Sequence, residues 1–397
     1  MSGMPEAQGS GPDLVLRAEH ISVEYAGQRP TRAVRDVTIE LRRGEVLGIA
    51  GESGCGKSTL AYALTRMLRP PAEMTGGGIT FYPAERAPVD VMALEGEDLR
   101  AFRWNKISMV FQSAMNALNP VTSVARQFDD IFEAHRQHMD RAARHARARE
   151  LLDMVGIDPK RINSFAHELS GGMRQRVMIA MALALEPEIV ILDEPTTALD
   201  VVVQRGILDE IERLREEFGF SVIFITHDLS MLLEVSDRLA VMYAGEVVER
   251  APSEAVGTAP AHPYTLGLLR SFPDMRSARR ELRGVPGIPP DLRDDFAGCP
   301  FAPRCDYRFE PCQTIHPVLE APAERLLADD PALVKSWRVA CHLHNPQHRP
   351  GGPPDELTAV PGERPARADD QAAAPVDGPE SPESPESPVT ADSAGGE

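Results

Sequence analysis

The sequence contains no apolar run long enough to cross a membrane. The longest run that we find, VMIAMALAL at residues 177–185, is about half as long as the ~20 residues that a transmembrane helix needs. The opening residues, MSGMPEAQGSGPD, have neither the basic start nor the apolar stretch of a signal peptide. We therefore expect the chain to stay in the cytosol, and any role at a membrane to come through a partner.

The sequence also lacks an excess of positive charge. Its 42 basic and 60 acidic residues give a formal net charge of −18. A dedicated nucleic-acid binder carries a basic surface, so this balance argues against that class and we expect no nucleic-acid partner. The most basic stretch, RQHMDRAARHARARE at residues 136–150, is typical of a solvated helix face.

Cysteine is scarce, and a cytosolic chain rarely uses it for disulfides. Cys55 stands alone, and the other four lie in a Pro-rich segment with five, six and 28 intervening residues: Cys299, Cys305, Cys312 and Cys341. This spacing matches neither the usual zinc patterns nor a ferredoxin run. A small segment with few large apolar residues still needs a cross-link to fold stably, and four thiolates around a metal centre would supply it. His342 and His344 follow Cys341 and are zinc ligands by type.

Strand-like and helical patterns alternate between residues 14 and 270. The segments EVLGIAG, ISMVFQ, IVILDEP and SVIFITHD are short and β-branched, which is typical of buried strands. VVVQRGILDEIERLREEFG has apolar side chains at helical spacing and ends at Gly219. LAVMYAGEVVER is predicted to be a hairpin that turns at Ala244 and Gly245. The alternation predicts an α/β fold with a mostly parallel sheet and helices on both faces.

Composition divides the chain further. Residues 1–13 are rich in Gly, Ser and Pro and are expected to be flexible, and residues 14–270 are expected to form one domain. Within that domain, residues 113–168 interrupt the alternation and are expected to be mostly helical. Residues 271–345 form a Pro- and Cys-rich extension. Residues 346–397 are acidic, Pro-rich and almost free of large apolar residues, so we expect disorder there.

The segment GESGCGKST has the pattern of a phosphate-binding loop, G-x-x-x-x-G-K-[ST], between a predicted strand and a predicted helix. Its glycines let the backbone wrap phosphates, and the helix N-terminus attracts anions. Lys57 is expected to neutralise the β- and γ-phosphates, and Ser58 to offer its hydroxyl to Mg²⁺. The predicted ATP-binding set here is Gly51, Ser53, Gly54, Cys55, Gly56, Lys57, Ser58 and Thr59. Cys55 is interpreted as a small filler at a variable position, rather than a redox switch.

Polar residues follow three other predicted strands. Asp193 and Glu194 end IVILDE, where Asp193 is expected to hold Mg²⁺ and Glu194 to polarise the attacking water. Gln112 follows ISMVF, and His227 follows SVIFIT. Because the carboxyl ends of parallel strands line one crevice, these side chains are expected to meet the γ-phosphate, the metal or the water.

Five motifs in this order, GESGCGKST, VFQ, LSGGMRQR, LDEPTTALD and ITHD, resemble those of the ATP-binding subunits of ABC transporters over roughly residues 14–270. The resemblance implies a P-loop NTPase fold with an antiparallel β portion and a helical subdomain. It implies an ATPase in which Glu194, His227, Gln112 and Lys57 are catalytic. Gln112 would be the Q-loop residue and a ligand of Mg²⁺. Tyr25 aligns with the aromatic residue that stacks on adenine, with a strand-packing tyrosine as the alternative.

The motif LSGGMRQR places Ser170, Gly171 and Gly172 before a predicted helix, which makes a second anion site. The resemblance implies that this signature grips ATP bound to the opposite subunit, so that two subunits enclose two nucleotides. Residues 198–200 would be the D-loop, whose Asp200 belongs to the same nucleotide-binding set.

A finer resemblance, to the dipeptide/oligopeptide importer branch, is carried by NALNP, EPTTALDVVVQ, HPYTLGLLRSFPD, GIPPDL and CPFAPRC. It implies a peripheral subunit at the cytoplasmic face of the membrane, paired with a second, non-identical ATPase. Two permeases, one of which contacts residues 113–168, and an extracytoplasmic substrate-binding protein would complete the importer. Metal-chelate, oligosaccharide and glycopeptide cargoes stay open. So do a soluble ABC ATPase of DNA repair or translation, and a regulatory metal sensor.

The importer branch also implies a [4Fe–4S] cluster on the four cysteines of the extension, Cys299, Cys305, Cys312 and Cys341. Zinc, or free thiols, are the alternatives that the residues leave open. A structural role is expected for the cluster rather than a redox role, because no motif for a redox partner is visible.

Overall fold

The computed structural model describes residues 14–84, 86–112, 117–136, 138–197, 199–271, 284–323, 336–354 and 357. The predicted flexible N-terminus at residues 1–13 lies outside these ranges, as does most of the tail that is predicted to be disordered. The strands are β1 (Leu14–Tyr25), β2 (Thr31–Arg42), β3 (Val46–Ala50), β4 (Ala72–Phe81), β5 (Val89–Asp90), β6 (Ile107–Val110), β7 (Ile189–Asp193), β8 (Ser221–Ile225), β9 (Arg238–Tyr243), β10 (Glu246–Pro252) and β11 (Arg338–Val339).

The described helices lie between and around these strands. They are α1 (Lys57–Leu64), α2 (Gly96–Asn105), α3 (Val124–His135), α4 (Arg141–Met154), α5 (Gly171–Ala182), α6 (Val201–Phe218), α7 (Leu229–Val235), α8 (Ser253–Thr258), α9 (Pro263–Ser271) and α10 (Pro311–Thr314). None of the described helices is both long and apolar enough to span a bilayer.

The central sheet has seven strands in the order β11-β10-β9-β3-β8-β7-β6. The pairs from β9 through β3, β8 and β7 to β6 are parallel, whereas β10 pairs antiparallel with both β9 and β11. All four predicted strands are present as β3, β6, β7 and β8, and every residue of β3, β7 and β8 is buried. The predicted α/β fold with a largely parallel sheet is confirmed.

A second, antiparallel sheet has the order β2-β1-β4-β5. Alternate residues of the central strands pack into two different hydrophobic cores, one on each face of the sheet. Ile191 and Ile223 pack with helix α1 and the antiparallel sheet, whereas Val190 and Val222 pack with the helices on the opposite face. The strands of a parallel sheet are buried on both faces, which explains their continuous apolar runs in the sequence.

The other local predictions also agree with the structure. Helix α6 ends at Gly219, which adopts a left-handed conformation with φ of 70°. The hairpin of β9 and β10 turns at Ala244 and Gly245, with φ of 53° and 86°. The described part of residues 113–168 consists mainly of α3 and α4, which pack on each other and on α5.

The C-terminal extension is joined to the central sheet. Strand β11 pairs with β10 at the edge of that sheet, with Val339 opposite Glu249. The buried Glu249 carboxylate accepts hydrogen bonds from the N–H groups of Ala261 (2.8 Å) and His262 (3.0 Å) and from Trp337 Nε1 (3.1 Å). A single carboxylate thus fixes β10, the start of α9 and the extension together. The predicted start of the disordered tail at residue 346 is wrong for its first residues, because Leu357 is fully buried and forms a small core with Leu266 and Leu343.

Candidate nucleotide site

The phosphate-binding loop joins the buried strand β3 to helix α1. Gly56 precedes the helix with φ of 108°, and a Cβ there would lie 2.1 Å from the carbonyl oxygen of Ala33. Only glycine fits this position, because the β2 backbone lies directly against it. The N-cap residue has no side chain that bonds to the first turn, and the N–H of Lys57 donates to the Cys55 sulfur. The N-terminus of the helix favours an anion beside the loop.

Lys57 is buried and lies along its own loop. Its ammonium donates to the carbonyl oxygens of Gly51 (2.7 Å) and Glu52 (2.9 Å). Cys55 Sγ lies 3.7 Å from the same nitrogen, and burial raises the pKa of this thiol above its usual value. A neutral, buried thiol agrees with its interpretation as a small filler.

Ser58 and Asp193 meet where α1 faces the end of β7. Ser58 Oγ donates to Asp193 Oδ1 at 3.1 Å. Asp193 is fully buried, burial raises its pKa, and its second oxygen, Oδ2, has no hydrogen-bond partner. A buried carboxylate oxygen without a donor is costly unless a cation or a water fills the place beside it.

Glu194 is the centre of a second polar group. Gln112 Nε2 donates to one of its carboxylate oxygens at 2.9 Å, and His227 Nδ1 lies 3.4 Å from the other. Thr197 Oγ1 also donates to this carboxylate, at 3.0 Å. Glu194 has φ of 47°, although its N–H still bonds to Ile225 at the end of β8. A left-handed conformation at a non-glycine residue is unfavourable and is concentrated at functional sites.

Tyr25 lies at the end of β1, beside the loop. Its hydroxyl is 3.0 Å from Thr59 Oγ1. Tyr25 is partly exposed and packs against the core beneath the antiparallel sheet.

The signature belongs to a different part of the cassette. Ser170 caps helix α5 by accepting a hydrogen bond from the N–H of Met173 at 3.3 Å, and Gly171 and Gly172 begin that helix. Asp200 caps α6 in the same way, accepting from the N–H of Val203 at 2.9 Å. Ala198, the first residue of the predicted D-loop, lies outside the described residues. The structure therefore brings the strand-end residues together with the phosphate-binding loop. The signature lies instead at the start of helix α5, which packs on α4 and α6.

Tyr264 in helix α9 and Arg304 in the extension contact the phosphate-binding loop. Sequence reasoning missed both residues. Tyr264 in α9 accepts a hydrogen bond from the N–H of Glu52 at 2.8 Å. Arg304 forms two hydrogen bonds with the Glu52 carboxylate, at 2.6 and 2.9 Å. The charged letters in GESG and APRC are the only sequence signals for this pair, and they are separated by about 250 residues. No local pattern could have joined them.

The four cysteines of the extension line one small cavity, together with His262, His342 and several apolar side chains. Burial raises the pKa of Cys299 to about 12 and that of Cys305 to about 11, and it also raises the pKa of Cys341 well above its usual value. Among the described residues, no group of three or more His, Cys, Asp or Glu side chains is arranged to hold a metal ion. The predicted metal centre is therefore not present as a ready-made ion site, although its four thiols share one cavity.

Comparisons with known families match two parts of the chain. Residues 34–197 match the ABC transporter family, and residues 248–312 match the family described as the oligopeptide/dipeptide transporter, C-terminal region. The second match includes Tyr264 and Arg304 as well as three of the four cysteines of the extension.

The alignments with individual relatives cover most of the length of those proteins. The chain is 42% identical over 311 residues to the "Probable peptide ABC transporter ATP-binding protein y4tR" of Sinorhizobium fredii, which covers 77% of this chain and 91% of that protein. It is also 42% identical over 309 residues to the dipeptide transport ATP-binding protein DppD of Bacillus subtilis, covering 77% and 90%.

Among solved structures, the fold is similar to the dimeric post-hydrolysis state of the ATP-binding cassette MJ0796 bound to ADP and Pi. The TM-score is 0.53 at 28% identity, over 60% of this chain and 98% of that one. The chain therefore contains the ABC ATPase fold.

Proposed function

This chain belongs to the ATP-binding proteins of peptide-importing ABC transporters, and on that premise we propose that it hydrolyses ATP to power the uptake of peptides. The observation that carries the proposal is the meeting of three strand-end side chains beside the phosphate-binding loop, with Gln112 and His227 on either side of the Glu194 carboxylate. The peptide cargo rests on the relatives, whose names specify peptide and dipeptide transport.

In the proposed mechanism, Glu194 is the general base. Its carboxylate can accept a proton from a water aligned with the γ-phosphate, while Gln112 and His227 fix its two oxygens. Lys57 would leave the loop carbonyls and donate to the phosphates. The N-terminus of α1 also favours an anion there. These groups would stabilise the negative charge of the transition state.

The residues present fit a magnesium ion. The unpartnered Asp193 Oδ2 and the Ser58 hydroxyl are hard oxygen donors beside the phosphate-binding loop, and Gln112 would add an amide oxygen. When bound, Mg²⁺ would offset the negative charge of the β- and γ-phosphates. Asp193 and Ser58 would orient the nucleotide through it.

We propose that the complete site forms between two ATPase subunits. Ser170 is exposed and Gly171 and Gly172 are partly exposed at the N-terminus of α5, so a partner's nucleotide could reach them. The dimeric state of MJ0796 supports this arrangement for the cassette fold. The partner would be a second, non-identical ATPase. Two permeases, one docking on residues 113–168, and a substrate-binding protein would hold the pair at the cytoplasmic face of the membrane.

We also propose that the extension, residues 271–345, is a subdomain stapled by a [4Fe–4S] cluster on Cys299, Cys305, Cys312 and Cys341. Their shared cavity supports it, as do backbone N–H groups that donate to the sulfurs of Cys299, Cys305 and Cys341. When bound, iron would supply the positive charge that buried thiolates need. Anaerobic purification should give about four iron and four sulfide per chain. An iron-free chain would contradict this part of the proposal.

Reconstitution tests the proposed function. The tagged chain, purified from its source cells with its membrane partners and placed in proteoliposomes with the binding protein, should take up labelled di- and oligopeptides only with ATP. Uptake of a metal chelate or an oligosaccharide in place of peptides would overturn the assignment of the cargo. Purification without any polytopic membrane protein would overturn the role in transport.

A further inference from the structure

We propose that Arg304 is a positioning residue for ATP, which neutralises and holds Glu52 of the phosphate-binding loop from the Cys-rich extension. The extension then controls the affinity of the nucleotide site through this ion pair. The inference rests on the proposed role of residues 51–59 as the phosphate-binding loop, and goes beyond it by giving the extension a function in nucleotide binding.

Arg304 is held far more tightly than an ordinary surface arginine. Its side chain is only 4% exposed, and both terminal nitrogens bond to the Glu52 carboxylate. Its Nε donates to the carbonyl oxygen of Pro286 at 2.6 Å, and its guanidinium lies over the rings of Tyr243 and Phe301. A planar, bidentate and stacked arginine of this kind is specific in geometry as well as charge.

Glu52 is fixed at its backbone as well as at its carboxylate. Its N–H donates to Tyr264, its carbonyl oxygen accepts from Lys57, and its carboxylate pairs with Arg304. Two of these three partners, Tyr264 and Arg304, come from helix α9 and from the extension. The loop that should wrap the phosphates is therefore set partly by residues more than 200 positions away.

The extension also contacts the other side of the candidate site. The N–H of Arg32 donates to the carbonyl oxygen of Leu292 at 3.1 Å, and Arg29 pairs with Asp294 at 2.8 Å. Arg35 lies over the ring of Phe296, 4.7 Å from its centre. These arginines belong to or adjoin β2, which is connected to Tyr25 by the turn after β1. The extension thus reaches both the phosphate-binding loop and the hairpin beside the expected adenine position.

Charge explains why the pair should matter. ATP is strongly anionic, so an unpaired carboxylate in the loop that receives it would repel the phosphates. Without Arg304, the Glu52 carboxylate would also compete for Lys57, whose ammonium already contacts the carbonyl oxygen of Glu52. The loss of ATP affinity in an Arg304 variant should therefore come mainly from the unpaired Glu52 charge. Removing that charge should restore most of the affinity.

A double-mutant cycle on the full-length chain tests this. The dissociation constant of a non-hydrolysable ATP analogue with Mg²⁺ is measured for Arg304→Gln, Glu52→Gln and the double variant. Arg304→Gln should weaken binding about tenfold, because it loses the hold on the loop and leaves an unpaired carboxylate. Glu52→Gln loses only the hold and should weaken binding about threefold, and the double variant should bind like Glu52→Gln rather than like Arg304→Gln. Arg293→Gln, which breaks an exposed ion pair of the same extension, is the matched control and should bind like the wild type.

The recovery distinguishes positioning from mere packing, because a packing defect at Arg304 would persist in the double variant. If Arg304→Gln does not fold, Arg304→Lys replaces it in the same cycle; it keeps the charge, loses the fork, and should weaken binding about threefold. Unchanged affinity in the folded Arg304 variant, or no recovery in the double variant, overturns the inference. Lys57→Ala separates the two proposals: wild-type binding by that variant would instead overturn the phosphate-binding loop itself.

Discussion

The nucleotide site and the Cys-rich extension are built in opposite ways. The nucleotide site uses side chains at strand ends and loops, such as Gln112 and His227, that stay open to solvent and contact one another at an exposed edge. The extension is held by buried groups, above all the Glu249 carboxylate with its three N–H donors. Changes in the first region should therefore reduce activity before stability, and changes in the second should reduce stability first.

The largest effect is expected at Glu194. Glu194→Gln keeps the size and most hydrogen bonds of the side chain but removes the proposed general base. ATP hydrolysis by the assembled transporter should fall at least about 100-fold, with ATP still bound and the melting temperature unchanged. Glu217→Gln, an exposed residue of α6, should hydrolyse ATP like the wild type. A normal rate for Glu194→Gln would show that Glu194 is not the base.

Glu249 should give the opposite result. Glu249→Leu leaves the N–H groups of Ala261 and His262 and the Nε1–H of Trp337 buried without an acceptor. We expect the free energy of unfolding to fall by about 3 kcal/mol or more, measured by denaturant titration. Glu216→Leu, on the exposed face of α6, should change it by less than about 0.5 kcal/mol. Equal stability of the two variants would contradict the role of Glu249 in fixing the extension.

A third prediction tests the close contact between Gly56 of the phosphate-binding loop and the β2 backbone at Ala33. Gly56→Ala would place a methyl group 2.1 Å from the carbonyl oxygen of Ala33, so the affinity for ATP should fall more than about tenfold. Gly54→Ala is the matched control. It also has positive φ and so carries the same backbone strain, but its Cβ would meet no atom within 4 Å, so its loss of affinity should be several-fold smaller than that of Gly56→Ala. Equal losses would mean that backbone strain alone, without the clash, determines the effect.

The smallest effect is expected at Tyr25. Tyr25→Leu removes the ring that is proposed to stack on adenine, and should raise the KM for ATP about fivefold with kcat unchanged. Tyr25→Phe keeps the ring, loses only the contact with Thr59, and should behave like the wild type. If both variants lose stability and neither changes KM, Tyr25 packs the strand and does not bind the base.

The comparison also separates what the sequence could predict from what it could not. The strands β3, β7 and β8, the helix α6 and the hairpin at Gly245 each follow from a pattern within about 20 residues. Asp193 and Glu194 could be placed with them because parallel strands end at one edge. The contacts of Glu249 and of Arg304 are pairings between distant segments, decided by tertiary packing. A buried glutamate in β10 looks no different in the sequence from an exposed one.

The most direct test of the link between the two regions is hydrogen exchange of the nucleotide-free chain. In Arg304→Gln, the amides of residues 51–56 should exchange about tenfold faster than in the wild type, while those of β7 and β8 stay protected. That result would mean that the extension orders the phosphate-binding loop before ATP arrives. Equal exchange in the loop of both chains would contradict the account.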